Sequence, residues 1–299
     1  MYIINSNTDP KELMLYIEKD VGDIMPILKN IPMSDEIKFA KDASDVIRKC
    51  LWDSHITNIK NRISEWYKCA LIRGINLSEY DVLSAKRFLI AFSWMLGSPT
   101  YTDDVEKLVA WDVTPRKELY VKNTTFSQRD WEAELHTDTQ YYPLPEKYIL
   151  LACHHKAWNG WNSTLIDGRS LFEDIKVQNP ELFSRLINEK LPFRVPSSFT
   201  RSGTDDNVEL YFAPIFSKDL LIRYRKETIE KWLVFMPKVE QEKYNKLIED
   251  FEFFLRQKER ILEFWLEDND ILICNNHEYL HWRTHFTDPE RLLFRIRFN

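Results

Sequence analysis

The amino-acid sequence predicts an α+β protein in which a helical N-terminal layer covers a β-rich region of sandwich or jelly-roll type. Apolar side chains recur mostly at helical spacing through the first hundred residues. From about residue 118 onward, short β-like runs separated by Pro, Gly, Asn and Asp dominate. Many short strands with few helices are typical of packed or rolled sheets. Without a visible linker, we expect one domain over 1–299, helical in 1–66 and β-rich in 67–299.

The N-terminal layer is predicted to hold three helices followed by a strand and a fourth helix. The first begins at Asp9-Pro10, because proline is favoured in a first helical turn. The fourth, VLSAKRFLIAFSWML (82–96), follows a capping-box pattern and stops at Gly97. The others are marked as follows: Leu13, Ile17 and Val21 continue the first helix, Ser34 begins the second, Ile56, Ile59 and Ile63 mark the third, and YKCALIRGIN (67–76) is the strand.

The C-terminal region is predicted to consist of short strands with two helical insertions. The insertions are RSLFEDIKVQNPELFSRLINE (169–189) and EQEKYNKLIEDFEFFLRQKERILEFWLE (240–267). The predicted strands are ELYVKN, ELHTDTQYY, KYILLACHH, STLID, LPFRV, VELYFA, LLIRYR, ILIC and RLLFRIRF.

Composition and charge exclude several functional classes. Apolar residues make up 44% and charged residues 29% of the 299 residues, as in soluble globular proteins. The net charge is only -6 and no basic run forms a stripe, so we expect no nucleic-acid partner. The four cysteines include no C-x-x-C pair, which predicts reduced core thiols. We expect no membrane span and a cytoplasmic location, since no signal-like or long apolar segment is visible.

The stretch NNHEYLHWRT (275–284) contains H-E-x-x-H, the pattern of zinc metalloproteases. That pattern works on a helix, where His277 and His281 would share one face. Here the strand-like ILIC and an Asn-Asn turn precede it, which predicts a turn and a strand. The extended form of the motif would also need His at Thr287. We therefore interpret His277 and Glu278 as turn residues and keep only His281 as a candidate ligand.

A second metal constellation lies in WEAELHTDTQYY (131–142). His136 and Asp138 alternate on a predicted strand, so both side chains are expected on one face. With His281 they would supply two imidazoles and one carboxylate, the facial triad of non-haem Fe(II) oxygenases. His154, His155 and His285 are rival ligands; the first two are expected to be structural.

The closing strand RLLFRIRF separates apolar from cationic side chains. Leu292, Phe294, Ile296 and Phe298 share one face and are expected in the core, whereas Arg291, Arg295 and Arg297 share the other. Two interpretations remain open, an exposed polar face and a guanidinium inside the barrel mouth that grips a carboxylate bidentately.

Taken together, these motifs resemble the TauD/TfdA family of Fe(II)/2-oxoglutarate-dependent dioxygenases, on its clavaminate-synthase-like branch. The similarity runs from about Tyr67 to the C-terminus. It rests on KCALIRGINL, RFLIAFSWMLGSP, AWDVTPR, HTDTQYYPLPEKYILLACHHKA and LHWRTHFTDPERLLFRIRF. The resemblance implies a double-stranded β-helix, the jelly-roll or cupin-like core, with Fe(II) as metal and 2-oxoglutarate and O2 as cosubstrates.

The resemblance also implies roles for individual residues. His136, Asp138 and His281 match the iron ligands. Arg295 matches the arginine that pairs with the distal carboxylate of 2-oxoglutarate, and Arg291 is the alternative because the spacing varies. Thr164 matches a threonine that contacts 2-oxoglutarate, although the family's Gly-Gly-x-Thr is here Gly-Trp-Asn-Ser-Thr.

The reaction implied is oxidation of an unactivated C–H bond, with release of succinate and CO2. A carboxylate at Asp138 favours hydroxylation, desaturation or cyclisation over halogenation, and leaves those three open. We expect a small, amino-acid-like carboxylate as substrate. The protein itself is expected to be a monomer or a homo-oligomer, with a mobile lid over the site in 196–212. Candidate substrate-binding residues are Arg297, Glu134, Tyr141, Arg223 and Arg225. The competing hypothesis from another class is a catalytically silent jelly-roll binding protein.

Overall fold

The computed structural model describes residues 3–17, 21–51, 53–102, 107–115, 133–160, 162–195 and 209–299. Three sheets form in this part of the chain. One sheet has six strands, in the order β1 (Met14–Tyr16), β2 (Cys69–Arg73), β10 (Ile271–Asn275), β5 (Tyr148–His155), β12 (Leu292–Phe298) and β3 (Trp111–Val113). A second has four, in the order β4 (Ala133–His136), β11 (Tyr279–Arg283), β6 (Ser163–Asp167) and β9 (Ile261–Phe264). The third is the hairpin of β7 (Leu191–Arg194) and β8 (Leu210–Ala213). The predicted α+β class is confirmed, with a jelly-roll-like pair of sheets that does not close into a barrel within the described ranges.

The six-stranded sheet carries the N-terminal helices on its outer face. Its strands are β1 (Met14–Tyr16), β2 (Cys69–Arg73), β3 (Trp111–Val113), β5 (Tyr148–His155), β10 (Ile271–Asn275) and β12 (Leu292–Phe298). The helices are α1 (Met25–Asn30), α2 (Glu36–Cys50), α3 (Asp53–Ser64) and α4 (Val82–Leu96). Buried apolar residues from these helices and this sheet form one cluster, here called the N-terminal core.

Helix α4 anchors the N-terminal core. Asp81 caps its first turn by accepting a hydrogen bond from the Ser84 amide at 2.9 Å. The helix ends at Gly97, where an added Cβ would lie 2.3 Å from the Asn299 carbonyl oxygen. Glycine at this position therefore lets the end of β12 approach the end of α4.

The four-stranded sheet lies between two further clusters. Its strands are β4 (Ala133–His136), β6 (Ser163–Asp167), β9 (Ile261–Phe264) and β11 (Tyr279–Arg283). Both large sheets contribute to a shared inter-sheet core. The outer face packs on α5 (Gly168–Gln178), α6 (Pro180–Asn188), α7 (Lys226–Leu233), α8 (Lys238–Leu255) and the hairpin β7 (Leu191–Arg194) and β8 (Leu210–Ala213).

Several predicted elements differ from the observed ones. The helix predicted from Asp9 through Val21 is wrong, because a 3-10 turn (Pro10–Leu13) leads into β1, which pairs in parallel with β2. The second insertion contains helix only to Leu255, then a 3-10 turn and β9. The run LLIRYR forms isolated β-bridges, not a strand. The predicted strand ELYVKN and most of the predicted lid, 196–208, lie outside the described residues.

Candidate active site

Two imidazoles and one carboxylate converge at the edge of the four-stranded sheet. His136 ends β4, and His281 lies directly opposite it on β11. Asp138 follows in the next turn. The nearest ligand atoms of the three residues all lie within 4.8 Å of one another. The Nε2 atoms of His136 and His281 lie 3.6 and 3.9 Å from Asp138 Oδ1. The predicted set therefore comes together, and we call it the triad.

The protonation states of the triad suit a divalent metal. Burial lowers the pKa of His136, and burial together with the neighbouring His136 lowers the pKa of His281 to about 3. Burial opposes ionisation of Asp138, but Arg295 and the imidazoles hold its pKa well below the ordinary value. Neutral imidazoles beside a carboxylate are the donor set that Fe(II) takes in oxygenases.

Hydrogen bonding around the two imidazoles also fits a metal. His136 Nδ1 lies 2.7 Å from the Glu134 carbonyl oxygen, so donation to it leaves Nε2 as the coordinating atom. His281 Nδ1 is buried without a hydrogen-bond partner in the described part of the chain. The residues present therefore fit an iron ion.

His277 and Glu278, the first two residues of H-E-x-x-H, lie in a turn as predicted and bond to residues outside the triad. His277 Nε2 donates to the Pro145 carbonyl at 2.8 Å. Glu278 pairs with Arg169 at 3.0 Å. The motif occupies a turn and β11, not a helix, so the two histidines cannot clasp one zinc ion together.

The rival histidines lie away from the triad. His154 Nε2 contacts the Tyr80 carbonyl at 3.1 Å, and its ring packs edge-on against Phe294. His155 and His285 are exposed. None of the three belongs to the metal cluster found among the described residues.

A cationic group lies deeper in the inter-sheet core. The guanidiniums of Arg283 and Arg291 lie over the ring of Phe286, with centroid distances of 5.0 and 4.6 Å. Burial, reinforced by Arg283, lowers the pKa of Arg291 well below its ordinary value. Two buried guanidiniums on one ring favour an anion between or beside them. We call this group the deep arginine pair.

The register of β6 shows which face of the sheet carries Thr164. Directly opposed residues share a face of the sheet, and Leu165 opposes His281. Thr164 opposes Trp282, so its side chain emerges on the other face, toward the helices. This register does not support a contact between Thr164 and a ligand bound at the triad. Ser163, which opposes Arg283 and is the fourth residue from Gly160, occupies the inner face.

Arg295 and Arg297 both lie on β12 but differ in their contacts. Arg295 Nη1 lies 3.2 Å from Asp138 Oδ2, and its side chain keeps 20% of its exposure. Arg297 is 3% exposed, donates to the Thr102 carbonyl at 2.9 Å and lies 3.9 Å from Glu146. Because Glu146 and Thr102 hold Arg297, the prediction that it binds substrate is not supported.

The remaining candidate substrate residues also separate. Arg223 is buried and donates to the carbonyls of Gln140, Tyr142 and Pro143, so it braces the loop after the triad instead of facing substrate. The Glu134 carboxylate lies near Lys226 of α7 and Glu252 of α8. Tyr141 is buried and close enough to Arg297 and Asp138 for their charges to act on its hydroxyl.

One residue that sequence reasoning missed is Asn276. Its side chain is buried, accepts a hydrogen bond from the Asp138 amide at 2.7 Å and donates to the Asp138 carbonyl at 3.0 Å. The side-chain amide nitrogen of Asn276 also donates to the Glu146 carbonyl at 2.9 Å. Thr139 follows with a left-handed φ of 51°, uncommon for a β-branched residue. Asn276 therefore holds the strained turn that aims Asp138, and the Asn-Asn pair after ILIC was its only sequence signal.

Comparison with known proteins places these features in a family. The model of the family described as taurine catabolism dioxygenase TauD, TfdA family, matches residues 51–297. The solved structure of the non-haem iron oxygenase OrfP with Fe, succinate and (3R,4R)-dihydroxy-L-Arg is similar, with 13% identity, 96% of this chain and 94% of that chain covered, and a TM-score of 0.69. An asparagine oxygenase with Fe(II), 3-hydroxyasparagine and succinate is similar at 14% identity, 95% and 93% coverage and a TM-score of 0.71.

At 13% and 14% identity, the similarity to these solved structures shows that this chain shares their fold. No curated protein sequence matches the chain. None of the described helices is long and apolar enough to span a bilayer. The family model covers most of the chain and every residue of the triad, so this protein belongs to the TauD/TfdA family of Fe(II)/2-oxoglutarate-dependent dioxygenases.

Proposed function

We propose that this dioxygenase hydroxylates an unactivated C–H bond of a small, amino-acid-like carboxylate. The observation that carries the proposal is the convergence of His136, Asp138 and His281 within 4.8 Å. When bound there, Fe(II) and 2-oxoglutarate supply the oxidising chemistry: substrate C–H, 2-oxoglutarate and O2 become C–OH, succinate and CO2. The similar OrfP and asparagine oxygenase structures hold hydroxylated arginine and asparagine, which supports the substrate class.

The two cationic positions suggest which end of each small molecule binds where. Arg283 lies two residues beyond His281 on the same strand, about 7 Å deeper along it. A five-carbon diacid with its keto-acid end at the metal would extend its distal carboxylate toward the deep arginine pair. The geometry thus favours Arg291, the alternative from the sequence, as the partner of 2-oxoglutarate. Ser163 on the inner face is positioned to add a hydroxyl donor.

Arg295 is then available to the substrate. It lies beside Asp138 at the metal, where a guanidinium can hold a substrate carboxylate bidentately and orient the reacting C–H bond. The buried surroundings of the triad limit access of water to the reaction.

The proposal is tested by anaerobic titration of the protein with Fe(II) and 2-oxoglutarate, followed by turnover with a panel of free amino acids. We expect the visible charge-transfer band of the chelate and amino-acid-stimulated succinate release. Arg291→Lys is expected to raise KM for 2-oxoglutarate, and Arg295→Lys to raise KM for the amino acid. A protein that forms no band is a silent binding protein, and a reversed KM pattern would return 2-oxoglutarate to Arg295.

A further inference from the structure

Glu146 is a buried acidic residue that lies close to the triad without belonging to it. It is part of the loop before β5, and it is only 6% exposed. Its Oε2 accepts a hydrogen bond from the hydroxyl of Thr139 at 2.5 Å, and its Oε1 accepts one from the hydroxyl of Thr100 at 3.0 Å. A buried carboxylate that accepts from two separate segments holds those segments together.

The first of these segments is the turn that carries the metal carboxylate. Thr139 follows Asp138 directly and has a left-handed φ of 51°, which a β-branched residue adopts only where its surroundings enforce it. Asn276 fixes the backbone of Asp138 and also donates to the Glu146 carbonyl. The carboxylate of Glu146 fixes the side chain of the next residue, Thr139, so the turn is held on both sides of the peptide that follows Asp138.

The second segment is fastened to the end of β12. The Thr100 amide donates to the Arg297 carbonyl at 3.0 Å, and Arg297 Nη1 lies 3.9 Å from Glu146 Oε2. Ile296 packs into the N-terminal core, so its neighbours Arg295 and Arg297 share the other face of the strand. The strand that Glu146 holds is therefore the strand that presents Arg295 to the metal ligands.

Glu146 thus lies at the joint between a metal ligand and the cation beside it. Arg295 Nη1 is 3.2 Å from Asp138 Oδ2, although the two residues belong to different segments of the chain. A buried ion pair such as the one between Glu146 and Arg297 adds little net stability, because desolvation offsets the attraction. A carboxylate at this joint is therefore better suited to fixing a distance than to stabilising the fold.

We propose that Glu146 is a positioning residue that sets the distance between the metal carboxylate of Asp138 and the guanidinium of Arg295. This inference rests on the proposed function, in which Arg295 holds the substrate carboxylate. A substrate held at Arg295 presents its C–H bond to the metal at a distance that depends on this spacing, and small displacements lower the rate steeply. Loss of the carboxylate should therefore weaken substrate binding and coupling, while iron and 2-oxoglutarate still bind.

The first test uses Glu146→Gln, which keeps the shape of the side chain and removes the charge facing Arg297. The probe is the free amino acid that gives wild type its largest succinate release. Its dissociation constant is measured anaerobically from the shift of the charge-transfer band, and we expect that constant to rise about 10-fold. Hydroxylated product per succinate should fall. The affinities for Fe(II) and 2-oxoglutarate should stay within about threefold of wild type, because the triad and the deep arginine pair are intact.

Further variants separate positioning from a general loss of structure. Thr139→Val removes the hydroxyl that Glu146 accepts from and should reproduce the effect, whereas Thr139→Ser keeps a hydroxyl and should bind the amino acid like wild type. Because both residues act through one bond, Glu146→Gln combined with Thr139→Val should be close to Glu146→Gln alone. Glu189→Gln is the matched control, since it removes a carboxylate paired with Arg185 and Lys243 in the outer helical layer. It should leave every constant unchanged.

The metal-free proteins give a readout that does not depend on turnover. In a crystal structure of Glu146→Gln without iron, the distance from Arg295 Nη1 to Asp138 Oδ2 should increase by about 1 Å, a displacement large enough to impair a reaction. Glu189→Gln should keep the distance of 3.2 Å.

Three results would overturn the role of Glu146. They are an unchanged distance in Glu146→Gln, an amino-acid dissociation constant equal to that of wild type, and an equal loss of iron and amino-acid affinity, which would indicate a structural role. If wild type never forms the charge-transfer band, the proposed function itself fails, and the distance in the metal-free variant still decides whether Glu146 positions Arg295.

Discussion

The N-terminal core and the edge that carries the triad bury very different chemistry. In the N-terminal core, the members of the cluster around Phe88 and Phe294 are apolar and touch other apolar side chains. At the triad edge, Asp138, Asn276 and Glu146 are equally buried but are charged or polar. Burial is favourable by itself in the first region, whereas in the second it costs free energy unless each group has a partner. We therefore expect the first region to set stability and the second to set metal binding.

The largest effect should come from the triad. His281→Ala removes one of three ligands, so we expect it to abolish both the charge-transfer band and coupled succinate formation. His277→Ala is the matched control from the same H-E-x-x-H stretch, and it should keep most of the activity because the His277 ring bonds to the Pro145 carbonyl and not to the triad. Iron content and turnover measure both. Loss of iron in the His277 variant but not in the His281 variant would show that the triad is misassigned.

The next largest effect should come from a large-to-small substitution in the N-terminal core. Phe88 is fully buried on α4 and stacks on Phe92 with ring centroids 5.9 Å apart. Phe88→Ala should lower the free energy of unfolding by about 3–5 kcal/mol, measured by chemical denaturation. Iron affinity per folded molecule should stay unchanged.

Leu83→Ala on the exposed face of the same helix is the control, and it should be nearly neutral. A Phe88 variant that folds normally yet loses iron would contradict the expectation that the N-terminal core sets stability and the triad edge sets metal binding.

A smaller effect, on iron affinity instead of stability, is expected at Asn276. Asn276→Ala removes the side chain that brackets Asp138, and we expect Fe(II) affinity to fall about 10- to 100-fold, followed by the charge-transfer band during iron titration. Asn276→Asp keeps an acceptor for the Asp138 amide but loses the donor to the two carbonyls, so its affinity should be intermediate. If both variants bind iron like wild type, the turn does not need Asn276 to aim Asp138.

The two regions also differ in how well the sequence predicts them. The sequence predicted one strand for His136 and Asp138, whereas β4 ends at His136 and a turn brings Asp138 to the triad. The residue types nevertheless indicated the metal. Thr164 and Ser163 differ by one residue, which places their side chains on opposite faces because the period of a strand is two. A single sequence does not contain the pairing register that decides between Ser163 and Thr164.

In the N-terminal region, the helical spacing of Leu13 and Ile17 was overridden by tertiary pairing. Met14–Tyr16 pairs with Leu71–Arg73, and that sheet edge supplies hydrogen bonds that a local pattern cannot anticipate. The triad was predictable because its chemistry needs particular residue types, whereas the helix was not, because apolar spacing alone is compatible with either element.

The smallest effect is expected at the surface of α8, which tests how far the sensitivity of the triad edge extends. The side chain of Arg256 is 71% exposed and pairs with Glu252 at 2.8 Å. Glu252 also accepts from the Tyr224 hydroxyl at 2.5 Å, so it keeps a partner when the arginine is removed. Arg256→Gln should therefore change stability by less than about 0.5 kcal/mol, measured by denaturation. A larger loss of stability would mean that the ion pair with Arg256 is needed to hold Glu252 against Tyr224.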